Sequence, residues 1–388
     1  MVRIPLHSLV LDFAGVAKDH VHEYEIILPE KVEFDLLGPG GGYFNSTEIL
    51  QEIKLKIQNK LWVGERVIVD ARKLKKYERE QITNIVVEYD ISIFYIVENS
   101  NTDRDIVRGD NKAQVVSISK SSDLEFVNKI SDLNQDMILH TFKGITVVGD
   151  VHGQLEPMLS VIDWARTRNN FIIFLGDIID FGPNSLECIE KAYDIVVRNK
   201  GLVILGNHER KIYKWLNKLN NKFIKLYISE ANRRTIEKIR ALTPSEKRKW
   251  EVKFRTIINL SKTHFYFNDL FFVHAAFSSE MLNHKNQRIL PANLEKIALF
   301  GCMEENADRE ADTPPKLDYS WTDNVPTDLQ VFVGHEVRSN IKPLITDSAD
   351  GGRVYFMDTG SGKEGHLTSA DIQFDTDGKS LVQNFNNW

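Results

Sequence analysis

Two cysteines in 388 residues, Cys188 and Cys302, are too few and too far apart for a disulfide framework. Such a chain suits a reducing compartment, and a cytoplasmic location is the expectation. No apolar run approaches the roughly 20 residues that cross a bilayer, so no membrane partner is expected. Leu9–Ala17 follows Arg3 and ends in small residues, as a signal peptide would. His7 and Asp12 break its apolar character, and a buried strand is the expected reading. An excess of positive charge is also missing. The net charge of -6 excludes a protein that coats nucleic acid over its whole surface, although it leaves room for a local basic patch. Internal repeats and low-complexity tracts are absent.

What is present is a pattern of helices alternating with short apolar strands, which means α/β layers with parallel strands. Ile49–Leu61 and Lys75–Glu88 have helical spacing, while Arg66–Val69 and Ile91–Val97 read as buried strands. Residues 98–140 turn polar and hold the expected domain junction. The pattern then restarts with strands Ile145–Val148, Phe171–Leu175 and Leu202–Leu205, separated by helices Leu155–Arg168 and Ser185–Asn199. Two domains are therefore expected, 1–140 and 141–388.

Each of the three later strands is followed by glycine and then by polar residues. The motifs are Gly149-Asp150-Val151-His152-Gly153, Gly176-Asp177-Ile178-Ile179-Asp180-Phe181-Gly182 and Gly206-Asn207-His208-Glu209. His274 and His335 also follow apolar strands. In open α/β sheets, sites form beyond the carboxyl ends of strands, so these motifs should meet at one edge. Asp, His and Asn without a thiolate suit Mn²⁺, Fe or Zn²⁺. A carboxylate such as Asp177 can bridge two cations, which in two-metal hydrolases lie about 3.5–4 Å apart. A lone Gly-Asp is usually a turn and a lone His after a strand is usually a core residue. The ordered set of five strand-end signals is what points to metal chemistry.

This set resembles the calcineurin-like metallophosphoesterases. It is most similar to the branch of phosphoprotein phosphatases, lambda-type phage phosphatases and bacterial polynucleotide kinase-phosphatases. Met357-Asp358-Thr359-Gly360 with Gly365-His366-Leu367-Thr368 is similar to a segment of that branch. The resemblance covers about 144–375 and implies a metallophosphoesterase β-sandwich flanked by helices. It implies two divalent metal ions, Mn²⁺ first, with Asp150 and His152 on one, Asp177 bridging, and Asn207, His274 and His335 on the other. Asn207 would also touch the phosphate, His208 would protonate the leaving oxygen, Asp180 would hold His208, and Asp358 would lie close by. The implied reaction is in-line attack of metal-activated hydroxide on a phosphate ester. Phe181 departs from the branch, which has Arg there to grip phosphate oxygens. The departure suggests either a less charged diester or cyclic substrate, or replacement by Arg210 or Arg338.

Between the third motif and His274, residues 210–262 carry sixteen Lys or Arg against four Glu, a net of +12. Aromatics are interleaved: Tyr213, Trp215, Phe223, Tyr227, Trp250 and Phe254. A polyanion, such as an RNA or DNA end, would suit this insert. An amphipathic cap with Ile212, Trp215, Leu216 and Leu219 packed inward would explain it too. Ile49–Val97, with Gly64–Arg72 inside it, resembles the middle of a P-loop polynucleotide kinase domain. Kinase catalysis needs GxxxxGK[ST], yet after Gly38 the chain has Tyr43, Phe44 and Asn45 where Gly, Lys and Ser or Thr are required. A degenerate, inactive kinase-like α/β domain is expected at 1–140. Three functions remain in view: a phosphoesterase of nucleic-acid ends or nucleotides (3′-phosphate or 2′,3′-cyclic phosphate), a serine/threonine phosphoprotein phosphatase, and a binding protein whose pseudokinase domain recruits a partner.

Overall fold

The computed structural model describes residues 8–12, 26–27, 29, 32, 46–62, 65–72, 74–89, 91–98, 113–118, 139–218, 228–285, 290–304, 316–375 and 379–388. The glycine-rich stretch Gly38–Gly42 with Tyr43–Asn45, most of the expected junction, and Leu219, Phe223 and Tyr227 of the insert lie outside them. The described residues form two compact units. One takes Met1–Leu133 together with Val197–Asn199 and Thr243–Asn259, and the other takes the rest of Asn134–Trp388.

The first unit has five strands, β1 (Ser8–Asp12), β2 (Ile26–Ile27), β3 (Val67–Asp70), β4 (Ser92–Glu98) and β5 (Ala113–Ile118), with helices α1 (Ser46–Trp62) and α2 (Lys76–Tyr89). All pair in parallel, in the order β2-β3-β1-β4-β5. Val67 and Val69 of β3 and Ile93 and Tyr95 of β4 share an apolar cluster with Ile53, Ile57 and Leu61 of α1 and Ile82 and Val86 of α2. The helical spacing of those residues is what turns one stripe of each helix onto the sheet.

The second unit begins with β6 (Gly144–Val148), α3 (Leu155–Arg168), β7 (Asn170–Phe174), α4 (Ser185–Val197) and β8 (Gly201–Val203). Helices α5 (Asn207–Lys218) and α6 (Glu230–Ala241) of this unit form the insert together with α7 (Pro244–Leu260), nearly all of which belongs to the first unit. After them come β9 (His264–Phe267), β10 (Leu270–Val273), α8 (Ala292–Phe300), the two-residue strands β11 (Cys302–Met303) and β12 (Leu317–Asp318), β13 (Gln330–Val333), β14 (Leu344–Asp347), β15 (Arg353–Phe356), β16 (Thr368–Phe374) and β17 (Ser380–Asn387). Two five-stranded sheets result, ordered β17-β16-β6-β7-β8 and β14-β15-β13-β10-β9. Each has three mutually parallel strands in a row: β6, β7 and β8 in one, β15, β13 and β10 in the other. Such strands are buried on both faces, which explains their continuous Val, Ile and Phe content. Phe271, Val273, Val331, Val333, Val354 and Phe356 face Leu294, Ala298 and Trp321, and Phe267 meets Phe374 of the other sheet.

Within the insert, Ile212, Trp215, Leu216, Trp250 and Phe254 are buried. These rings pack into the protein, as in the amphipathic-cap reading, and do not stand open to stack on bases. No described helix is long and apolar enough to cross a membrane.

One core residue yields a pH prediction. The buried His264 ring stacks on Phe271, and its Nε2 lies 3.0 Å from the His284 carbonyl. Burial lowers its pKa to about 4, against a weaker opposing pull from that carbonyl. The unfolded chain takes up a proton below pH 6.5 that the folded chain refuses until about pH 4. Stability is therefore present above pH 6.5 and is lost as pH falls through that window. In urea titrations at pH 7.5 and 4.5, His264→Gln should lose about 2–3 kcal/mol less than the wild type between the two conditions. An unchanged difference would dismiss this residue as a source of acid sensitivity.

Candidate metal centre and the histidine beside it

Six polar side chains follow the carboxyl ends of six parallel strands, three from each sheet. Asp150 follows β6, Asp177 follows β7 and Asn207 follows β8, while His274 follows β10, His335 follows β13 and Asp358 follows β15. Each of these sheets thus delivers half of one cluster. Candidate ligand atoms lie within 4.8 Å of one another in the groups Asp150–His152–Asp358, Asp177–His274–His335 and His152–Asp177–His208. Asp177 belongs to two of the groups. Its Oδ2 is 3.4 Å from His274 Nε2 and 3.8 Å from His208 Nε2.

The hydrogen bonds leave specific lone pairs free. His152 Nδ1 is 2.9 Å from the Ile179 carbonyl and His274 Nδ1 is 2.7 Å from the Leu175 carbonyl. Donation there fixes each ring and leaves its Nε2 as an acceptor, the arrangement usual for metal-binding imidazoles. Six buried side-chain polar atoms among the described residues lack a hydrogen-bond partner, and four of them are Asn207 Oδ1, His274 Nε2, His335 Nδ1 and Asp358 Oδ2. Burial, then repulsion from Asp358, pushes Asp150 well above the ordinary range, and burial raises Asp358 against the pull of Lys363 and the Gly360 N–H. Burial opposes charge on Asp177 as well, but His274 and His208 overcome it and hold that carboxyl well below the ordinary value. The same attraction outweighs burial at His274 and lifts it to about 10. Oxygen and nitrogen donors that converge this closely, with buried atoms left without partners, fit divalent metal ions.

The backbone here is strained. Of nine described non-glycine residues with positive φ, five are His152, Asp177, Asp180, Phe181 and His335. Such conformations cost on the order of 1–3 kcal/mol each and persist only when the surroundings impose them. Glu209, fully buried, imposes several: its carboxylate accepts from the backbone N–H of Asp177 at 2.9 Å, Ile178 at 2.8 Å and Ile179 at 3.2 Å. Asp180 N–H donates to Ser185 Oγ at 3.0 Å. Gly206 has no room for a side chain, because a Cβ there would strike the Asp177 carboxylate.

Beside the cluster, His208 Nδ1 lies 2.5 Å from Asp180 Oδ2. Asp180 also accepts from Asn232 Nδ2 and Thr235 Oγ1, both on α6. Burial works against a charged His208, but Asp177 and the Asp180 hydrogen bond prevail and raise its pKa. Of the two arginines considered for phosphate, Arg210 pairs with Glu295 at 3.1 Å and Arg338 lies 3.8 Å from the centre of the Tyr319 ring. Neither Glu209, Asn232 and Thr235 nor Lys363, which stands next to Asp358 and Phe181, entered the sequence-based site.

The family model of the calcineurin-like phosphoesterases matches residues 144–359. The chain belongs to that family. It is a metallophosphoesterase, a hydrolase of phosphate esters, and its fold is mixed α/β with helices flanking the sheets. Among its relatives is the asymmetrical bis(5′-nucleosyl)-tetraphosphatase PrpE of Oceanobacillus iheyensis, 24% identical over 204 residues, which are 49% of this chain and 76% of that protein. The serine/threonine-protein phosphatase 4 catalytic subunit of Eremothecium gossypii is 31% identical over 98 residues, 24% of this chain and 32% of that protein. Of solved structures, the metallophosphoesterase from Sphaerobacter thermophilus matches with a TM-score of 0.35 and 16% identity, covering 64% of this chain and 88% of that one.

Proposed function

We propose that the chain is a two-metal phosphoesterase acting on nucleotides or nucleic-acid ends, with 3′-phosphates and 2′,3′-cyclic phosphates within its range. The observation that supports this most is the set of buried, partnerless lone pairs on Asn207, His274, His335 and Asp358. A buried polar atom left alone costs about 1–3 kcal/mol, and two divalent cations would remove that cost here. Asp150 and His152 would hold one ion and Asn207, His274 and His335 the other, with Asp177 shared. The thiolate-free donor set favours Mn²⁺, with Fe or Zn²⁺ as alternatives. Bound cations supply Lewis acidity toward the phosphoryl group and acidify water near neutral pH.

The chain's own groups complete the chemistry. Asp180 holds His208 by Nδ1, which leaves Nε2 and its proton facing the Asp177 side of the cluster, where a leaving oxygen would need it. Glu209 keeps the Asp177 loop in its strained shape. The nucleotide preference is supported by the bis(5′-nucleosyl)-tetraphosphatase relatives and by the +12 charge of the insert. The first unit is then a kinase-like domain without a phosphate-cradling loop, available to recruit a partner. A serine/threonine phosphoprotein phosphatase is the second reading, favoured by the 31% match to a protein phosphatase.

Phosphate release with Mn²⁺ tests the two readings. Substrates are a bis(5′-nucleosyl) tetraphosphate, a 2′,3′-cyclic nucleotide, a 3′-phosphorylated RNA oligomer and a phosphopeptide. The nucleotide or RNA substrates should show kcat/KM at least about tenfold above the phosphopeptide, roughly 1.4 kcal/mol in transition-state binding. The reverse order would install the protein-phosphatase reading.

A further inference from the structure

Phe181 leaves the second motif without a cation, yet the site is not without one. Lys363 lies in the loop after β15, and its Nζ stands 4.9 Å from the centre of the Phe181 ring and 3.7 Å from Asp358 Oδ2. Phe181 in turn packs edge-on against His152 at 4.6 Å and lies 5.5 Å from His208. The ammonium is thus carried on an aromatic wall shared by a candidate metal ligand and the candidate proton donor. Its charge bears on Asp150, His152, His335 and Asp358 alike.

The loop is held firmly enough to place that charge. Ser361 Oγ donates to the Val151 carbonyl at 2.8 Å, and the N–H groups of Lys363 and Gly365 both donate to the Gly360 carbonyl at 3.0 Å. Gly362, at φ +70°, presses against His152, and a Cβ there would come within 2.8 Å of the His152 carbonyl oxygen. The lysine side chain remains 31% exposed, so it reaches the site from its rim. At 3.7 Å its contact with Asp358 is an ion pair beyond hydrogen-bond length, and the ammonium keeps donors for another oxygen.

A cation at the rim of this cluster has an anion as its favourable partner. We propose that Lys363 grips the non-bridging oxygens of the substrate phosphate and makes the site prefer a terminal, dianionic phosphate over a diester. This rests on the phosphoesterase reading and narrows it. A dianion gains more from a fixed ammonium than a monoanion does, and a diester's second ester group would have to fit against Phe181, which is 38% exposed at the rim. Lysine acts as a point charge, so the discrimination is by charge and without the fork geometry of arginine.

The test compares wild type, Lys363→Met and Lys363→Arg as full-length, Mn²⁺-loaded proteins. Readouts are KM and kcat on p-nitrophenyl phosphate and on its bis-ester, inorganic phosphate affinity by calorimetry, and Mn²⁺ affinity. Lys363→Met should raise the monoester KM and weaken inorganic phosphate by about tenfold each, the effect of one charge-assisted contact. The diester KM should move less than about threefold, Mn²⁺ affinity should hold, and Lys363→Arg should restore most of the loss. Equal shifts for both esters, or a change in Mn²⁺ affinity with the ester ratio intact, would overturn the proposal and leave Lys363 as a counter-ion of Asp358. A wild type that turns over neither ester would instead remove the phosphoesterase reading, and the phosphate calorimetry would still decide the lysine.

Discussion

Asp177→Asn should lower phosphate release by roughly 10³-fold or more, about 4 kcal/mol of transition-state stabilisation. The side chain is the common member of two ligand groups, and both its oxygens are engaged: Oδ1 accepts from His208 N–H at 3.1 Å, and Oδ2 faces His274 and His208. The amide keeps the shape but loses the charge and one acceptor. It also removes the attraction that lifts His274 to about 10. A second readout does not depend on turnover. Wild type should be stabilised by Mn²⁺ in thermal melts, by about 2.7 kcal/mol at a hundredfold excess over Kd, and the variant should show little of that gain. Activity that survives in Asp177→Asn, or an equal Mn²⁺ shift in both proteins, would sink the two-metal assignment.

Much of this centre could be read before any fold was known, because its chemistry sits where strands end. Asp150, His152, Asp177, Asn207, His274 and His335 each follow a short apolar run, and such runs can be seen in a sequence. The strand boundaries slipped where burial and polarity part company. Phe171–Leu175 was expected for β7, which spans Asn170–Phe174. Asn170 is buried because its side chain bonds Thr146 Oγ1 at 3.1 Å, a network no hydrophobic pattern reveals. Helix α4 stops at Val197 instead of Asn199, and Asn199 takes a left-handed φ of 54°. Short polar Asn enters that region with less penalty than most residues, so a helix can end there.

The residues missed were those supplied by a distant segment. Asn232 and Thr235 lie about fifty positions beyond Asp180, in a helix whose sequence reads as a charged surface element. Lys363 was passed over although it stands five residues after Asp358, between glycines in a tail already marked as family-like. A cation in a glycine-flanked loop beside a site that lacks its usual arginine was the available signal. The two arginines preferred instead were near motifs in sequence, but Arg210 turns to Glu295 and Arg338 to Tyr319.

His208→Asn should slow hydrolysis of alkyl phosphates by about 10²–10⁴-fold, the range for loss of a positioned general acid. Turnover of p-nitrophenyl phosphate should fall far less, because nitrophenolate leaves without needing a proton. The reason lies in how the proton is held. Asp180 ties down Nδ1 at 2.5 Å, so the transferable proton is on Nε2, and the raised pKa of His208 keeps it there at neutral pH. A falling limb at high pH, where wild-type His208 deprotonates, should disappear in the variant. Asp180 depends in turn on α6. Asn232 donates to it through Nδ2, while its Oδ1 accepts from Ser229 N–H at 3.3 Å and Ser229 Oγ at 2.8 Å, so the capping box that starts α6 also orients the amide. Thr235, three residues on and on the same helix face, supplies the other donor. Asn232→Ala and Thr235→Val should therefore each cost about tenfold on alkyl esters, with the same leaving-group signature as His208→Asn and with Mn²⁺ affinity intact. A uniform loss across leaving groups would mean that α6 merely supports the fold. The leaving-group signature would instead make α6 of the basic insert part of the proton-donating wall.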